Sequence, residues 1–203
     1  MGKIIREDYY FSEPGSENLR DVVEAVEKRV AQTGIEYVVV ASHSGSTALA
    51  FAEKLKGKAK VICVSSRPSR RDRGRSWPAV VPEKRKRLEE LGAVVMDRFS
   101  YALESTVLQE NRWNALSADR VVVETLYMFG QGMKVAVQVV LTATSSGHIE
   151  PYQDVIGVGG TSRGADTAIV MRASYPTRLF SEEPEYRPEV REIIAMPLKK
   201  RRD

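Results

Sequence analysis

The sequence has one cysteine and two histidines in 203 residues, too few for a disulfide framework or a cysteine–histidine zinc module. A lone thiol fits a reducing compartment, so the expected location is cytoplasmic. No uncharged apolar run is long enough to span a bilayer, and Met1 to Arg6 lead into no signal-peptide core. Membrane insertion and export are therefore not expected. Internal repeats, low-complexity linkers and composition breaks are also missing, so residues 1–203 read as one domain. A strong charge excess is absent as well. The 31 Lys and Arg exceed the 27 Asp and Glu by only four, which suits a small anionic ligand and argues weakly for nucleic acid.

What is present is a globular balance: 42% hydrophobic and 29% charged residues. Asn18 stands before a helix whose inward face carries Leu19, Val22, Val23, Val26 and Val30, and whose end is Gly34. Asp21, three residues after Asn18, suggests a capping box. Tyr37 to Ala41 is a short β-branched run without alternation, the pattern of a strand covered on both faces. Ser46 to Leu55 reads as a helix and Val61 to Val64 as another buried strand, which makes Cys63 a core residue and not a reactive thiol. A helix from Pro82 to Gly92 and a strand from Ala93 to Met96 follow, and Tyr101 to Trp113 reads as helix or irregular loop. Ala118 to Ser146, broken by Gly130 and Gly132, predicts two helices, with a strand at Val135 to Leu141 as the alternative. Asp154 to Val158 and Thr167 to Met171 read as strands, and Glu192 to Met196 as a last edge strand stopped by Pro197. Strands alternating with helices predict a three-layer α/β/α sandwich with a mostly parallel sheet.

Two segments carry candidate chemistry. Ser42, His43, Ser44, Gly45, Ser46 and Thr47 lie between a buried strand and a helix, at the sheet edge where open α/β folds take ligands. Free amides of the helix start and several hydroxyls would form a phosphate cup, whereas a simple helix cap needs one hydroxyl. It is no Walker loop, because no Gly-Lys-Ser/Thr follows. The second segment is Gly159, Gly160, Thr161, Ser162, Arg163, Gly164 and, after Ala165, Asp166. It should emerge at the same edge, with glycines leaving room for a ligand and Arg163 able to pair with a phosphate. Its bland reading is a glycine-rich hairpin ordered by Asp166. Tyr10 to Gly15 is a candidate third wall or simply an ordered turn. An imidazole in water titrates near neutrality, so His43 could act as acid, base or ligand donor, but positioning phosphate is the preferred role for it. The loop from Arg67 to Pro82 follows a buried strand and is expected to form a mobile lid over an anion through the arginines of 67–75. With Lys84 to Arg87 and Lys199 to Arg202 they also suggest nucleic acid, a reading weakened by slight aromatic interleaving and no recognition motif.

The stretch from Val38 to Leu55, continuing to Arg67-Pro68, resembles the C-terminal domain of pyruvate kinase. The chain is more similar to a stand-alone, mostly archaeal family with that fold. The likeness runs through Pro14-Gly15 with Glu17-Asn18, Val39 to Ser42, Gly130-x-Gly132-x-Lys134-Val135, Gly159-Gly160-x-Ser162-Arg163-Gly164-Ala165-Asp166-Thr167-Ala168 and Ile193-Ile194-x-Met196-Pro197. His43 is a departure, standing where that family has small or variable residues. The resemblance implies one antiparallel strand in the sheet and an association with flavin mononucleotide (FMN). It does not imply pyruvate kinase activity, which belongs to a separate barrel domain that this chain does not resemble.

The leading expectation is thus a binder of FMN or a related phosphorylated small molecule, with Tyr10, Trp77 or Met128 as candidate walls for the flavin ring. A flavin-dependent oxidoreductase is one form of it. The alternatives are a non-catalytic regulatory binder of a sugar phosphate or nucleotide and, least favoured, a nucleic-acid-binding surface. A homo-oligomer is compatible with all three.

Overall fold

The computed structural model of the protein describes residues 2–104 and 117–200. The strands are β1 (Tyr9–Phe11), β2 (Tyr37–Ala41), β3 (Lys60–Val64), β4 (Val94–Met96), β5 (Asp154–Gly159), β6 (Thr167–Arg172) and β7 (Glu189–Pro197). They form a seven-stranded sheet in the order β1-β7-β6-β5-β2-β3-β4. β6 runs antiparallel to both of its neighbours, and every other adjacent pair is parallel. The helices are α1 (Leu19–Thr33), α2 (Ser46–Leu55), α3 (Pro82–Glu90), α4 (Ala118–Leu126) and α5 (Gln131–Ser145).

The two faces of the sheet carry separate apolar clusters. Val38, Val40, Cys63 and Val158 pack with Val22, Val26, Phe51, Leu55 and Leu88 of α1, α2 and α3. Val39, Ile62, Val155 and Ile169 pack with Val123, Ala136, Val140 and Leu141 of α4 and α5. Adjacent residues of one strand thus point into different clusters, which is why β2 and β3 show no polar alternation. The mostly parallel sheet between two helical layers agrees with the expected architecture. No helix among the described residues is long and apolar enough to cross a membrane.

Several local expectations need correction. Asn18 does not cap α1 with its side chain. A 3-10 turn over Ser16–Asn18 already gives it helical angles (φ −77°, ψ −11°), and its amide donates instead to the Glu13 carbonyl at 2.9 Å. Residues 135–141, by contrast, are helix, which agrees with the reading of two helices from Ala118 to Ser146 and rules out its strand alternative. They lie in α5, where Val137, Val139, Val140 and Leu141 are all buried, so burial overrides β-branched propensity. β7 begins at Glu189 and is not an edge strand, because β1 pairs outside it, with Phe11 opposite Pro197. β1 has only three residues and no buried one, so no apolar pattern announces it. Within the expected helix or loop from Tyr101 to Trp113, residues 105–113 lie outside the described residues.

Candidate functional site

Both loops singled out in the sequence leave the carboxyl edge of the sheet. Ser42 to Gly45 connects β2 to α2, and Gly160 to Asp166 connects β5 to β6. They line a common cavity of about 850 Å³. Its wall takes Ser42, His43, Ser44, Ser46 and Thr47 from the first loop and Gly160, Ser162, Arg163 and Gly164 from the second.

The first loop resolves the choice between cap and cup by dividing its hydroxyls. Ser42 is buried, and its Oγ accepts from the Ala48 amide at 3.1 Å, so this serine serves the helix start. Ser44 and Ser46 hydroxyls lie 3.2 Å apart at the cavity, and Lys84 Nζ of α3 donates to Ser46 Oγ at 2.7 Å. The first amides of a helix have no intrahelical acceptor, so Ser46 and Thr47 present donors at the positive end of α2. Gly45 faces Val80, Lys84 and Leu88, away from the cavity.

The second loop is built as the hairpin that was the bland alternative. Asp166 is fully buried. Its carboxylate accepts from the Thr161 amide at 2.9 Å and from the Thr167 hydroxyl at 2.8 Å. Thr161, Asp166 and Gly159 are therefore supports behind the lining residues. Gly159 does not make room for a ligand; it makes room for α5, since a Cβ there would lie 2.2 Å from the Gly132 carbonyl oxygen. The N-terminal segment reaches this loop too, with Ser16 directly behind Gly164.

Sequence reasoning missed part of the cavity. Gln131, Lys134, Val135, Gln138 and Val139 come from α5, whose first turn opens here, and Ser65 and Ser66 follow β3. The expected lid contributes Arg70 and Arg75 to the lining. Tyr101 and Glu104 complete it. Tyr101 donates its hydroxyl to the Ser65 carbonyl at 3.0 Å, and burial pushes its phenol up to about 12. The signal for α5 was its Gly-x-Gly-x-Lys opening, which marks a helix start without saying where that start points.

Electrostatics of the cavity favour anions. Among the described residues, Arg70, Arg75, Lys134 and Arg163 line it against one carboxylate, that of Glu104, which is ion-paired with Arg67. His43 Nδ1 is hydrogen-bonded to Ser66 Oγ. Burial, and then the charges of Arg70 and Arg75, hold the His43 imidazole below its ordinary value. The nucleophile inventory excludes Cys63, which lies under the first loop and whose thiol burial pushes up to about 12.

The three candidates for a ring wall, Tyr10, Trp77 and Met128, do not line the cavity. Tyr10 and Met128 are exposed elsewhere. Trp77 donates Nε1–H to the Asp97 carbonyl at 3.0 Å, and the guanidinium groups of Arg71 and Arg98 each lie 5.2 Å from its ring centroid. Those contacts occupy Trp77, and the Tyr101 ring is likewise taken by Arg67, 5.5 Å from its centroid, which weakens base stacking as the purpose of these rings. Apolar wall is provided instead by Val135, Val139, Ala41 and Val64, with Tyr101 beside them. Compared with models of known protein families, the chain matches none.

Proposed function

We propose that this cavity binds a phosphorylated small molecule, with its phosphate on Ser44, Ser46 and Thr47 at the start of α2 and Arg163 closing over it. The observation that carries the reading is the meeting of two helix N-termini and the guanidinium groups of Arg70, Arg75 and Arg163 on one concave surface. Its volume lies within the range of about 300–1,000 Å³ usual for small-molecule sites.

FMN is the first ligand to test. The hydroxyl and amide donors fit its phosphate, and the Val135, Val139 and Tyr101 wall fits the edge of a flat ring. When bound, flavin would supply hydride or electron transfer, and the protein would orient it. The likeness to the stand-alone pyruvate kinase C-terminal-like proteins belongs to the same proposal. A non-catalytic binder of a sugar phosphate or nucleotide is the second reading. It is favoured by the polar character of the lining, in which Tyr101 is the one aromatic among the described residues.

The test is the visible spectrum of protein purified without added cofactor, followed by titration with FMN, a sugar phosphate and a nucleotide while thermal unfolding is monitored. Flavin absorbance or a saturable shift with FMN supports the first reading. Stabilisation by the other phosphates alone supports the second. A colourless protein stabilised by none of them rejects both. Binding to nucleic acid that collapses with added salt would support the basic-surface alternative instead.

A further inference from the structure

We infer that Lys134 is the amine nucleophile of this cavity, placed to form an imine with the carbonyl carbon of a phosphorylated aldehyde or ketone. The inference rests on the phosphate-binding reading and narrows its ligand class.

The Gly130-x-Gly132-x-Lys134 opening of α5 contains one residue that packing does not explain. Gly132 is needed for close approach to Asp166 and Thr167. Lys134, two residues on, turns its amine to the cavity, where Nζ donates to Gln138 Oε1 at 2.8 Å. Gln138 is itself fixed, donating from Nε2 to the Ala102 carbonyl at 2.8 Å. The amine is thus aimed by a held amide, and among the described residues no carboxylate forms an ion pair with it.

Three influences oppose its charge. The side chain is half-buried, it occupies the first turn of a helix where the dipole disfavours cations, and Arg67 and Arg70 are nearby. Glu104 acts in the opposite direction, but its carboxylate is shared with Arg67. Burial is the largest of these effects and holds the ammonium below the ordinary lysine value. A lysine beside other cations in a desolvated pocket is the arrangement that activates amines toward carbonyls.

The step balances without an oxidant or reductant. The Nζ lone pair forms a C–N bond as the carbonyl π bond breaks, and a proton passes from nitrogen to oxygen to give the carbinolamine. Loss of that hydroxyl as water, with the second N–H proton released, leaves the imine. Cations at the phosphate loops would hold the other end of the substrate.

Incubating the full chain with glycolaldehyde phosphate and sodium cyanoborohydride, then mapping peptides by mass, tests this. The expected result is an adduct on Lys134 formed at least about tenfold faster than on any exposed lysine, as expected when amine and carbonyl are held together. Inorganic phosphate should suppress it, unphosphorylated glycolaldehyde should not reproduce it, and K134R should lack it. Calorimetric titration with inorganic phosphate separates the two claims. Phosphate binding with label scattered over surface lysines overturns the Lys134 inference and leaves the phosphate reading standing. Neither binding nor selective label overturns both. Lys134 labelling that phosphate fails to suppress overturns the assignment of a phosphorylated substrate.

Discussion

Gly159 at the end of β5 meets Gly132 in the first turn of α5 so closely that a Cβ at 159 would stand 2.2 Å from the Gly132 carbonyl oxygen. Gly132 is in turn pressed against the start of β6, where its own Cβ would lie 2.1 Å from Thr167 Oγ1 and 2.5 Å from Asp166 Oδ1. This contact brings the start of α5, and Lys134 with it, to the phosphate loops.

Gly159→Ala is therefore expected to destabilise the fold. Its new methyl faces helix backbone and not a flexible side chain, so the cost should reach the upper part of the about 1–3 kcal/mol typical of overpacking. Urea unfolding measures it. Unchanged stability would show that α5 can stand off the sheet.

Asp166→Ala should cost about 1–3 kcal/mol, the penalty for leaving the buried Thr161 amide without its acceptor. The Ser162 to Gly164 turn would lose its anchor, so phosphate affinity should fall as well. Asp166→Asn keeps an acceptor oxygen and should be milder on both counts. Parallel chemical denaturation and calorimetry check the pair.

Arg29 is 2% exposed and bridges three chain segments. It ion-pairs with Glu192 of β7, contacts Asp8 at 2.9 Å and donates to the Glu7 carbonyl at 3.3 Å. Arg29→Ala should destabilise by about 3 kcal/mol, the low end of the range for breaking a buried pair. The low end applies because Asp8 and Glu192 keep 34% and 29% side-chain exposure and can recover some water. Arg29 does not line the cavity, so ligand affinity of the folded protein should not change.

His43 gives a pH signature. Its folded value lies below the ordinary 6.5, through burial first and then Arg70 and Arg75. The unfolded chain therefore binds the proton more readily. The stabilising contribution is complete above 6.5 and is lost as pH falls through the folded value. A phosphate between His43 and the arginines would favour the imidazolium, so proton NMR titration should show the His43 value rising when phosphate binds. His148 is also held below its ordinary value, by burial and Lys60, but it lies outside the cavity and should not respond. Equal behaviour of both histidines would count against a phosphate beside His43.

Much of the framework was legible along the chain. β2, β3 and β5 announced themselves because strands covered on both faces need unbroken apolar runs, and α2 and α3 because their starts and inward positions are local features. β1 was hidden because three half-exposed residues join the sheet only through β7. α5 was ambiguous because burial on most sides removes the periodicity that would distinguish helix from strand.

The sequence by itself determined the two donor-rich loops and their place after buried strands, because hydroxyls, glycines and strand ends are written consecutively. Only the tertiary structure decided that these loops share one cavity, that Ser42 and Asp166 are supports, and that Lys134, Arg70 and Arg75 join the lining. Those facts depend on contacts between residues far apart in the chain, such as Gly132 with Gly159 and His43 with Ser66, and no local pattern encodes such pairings.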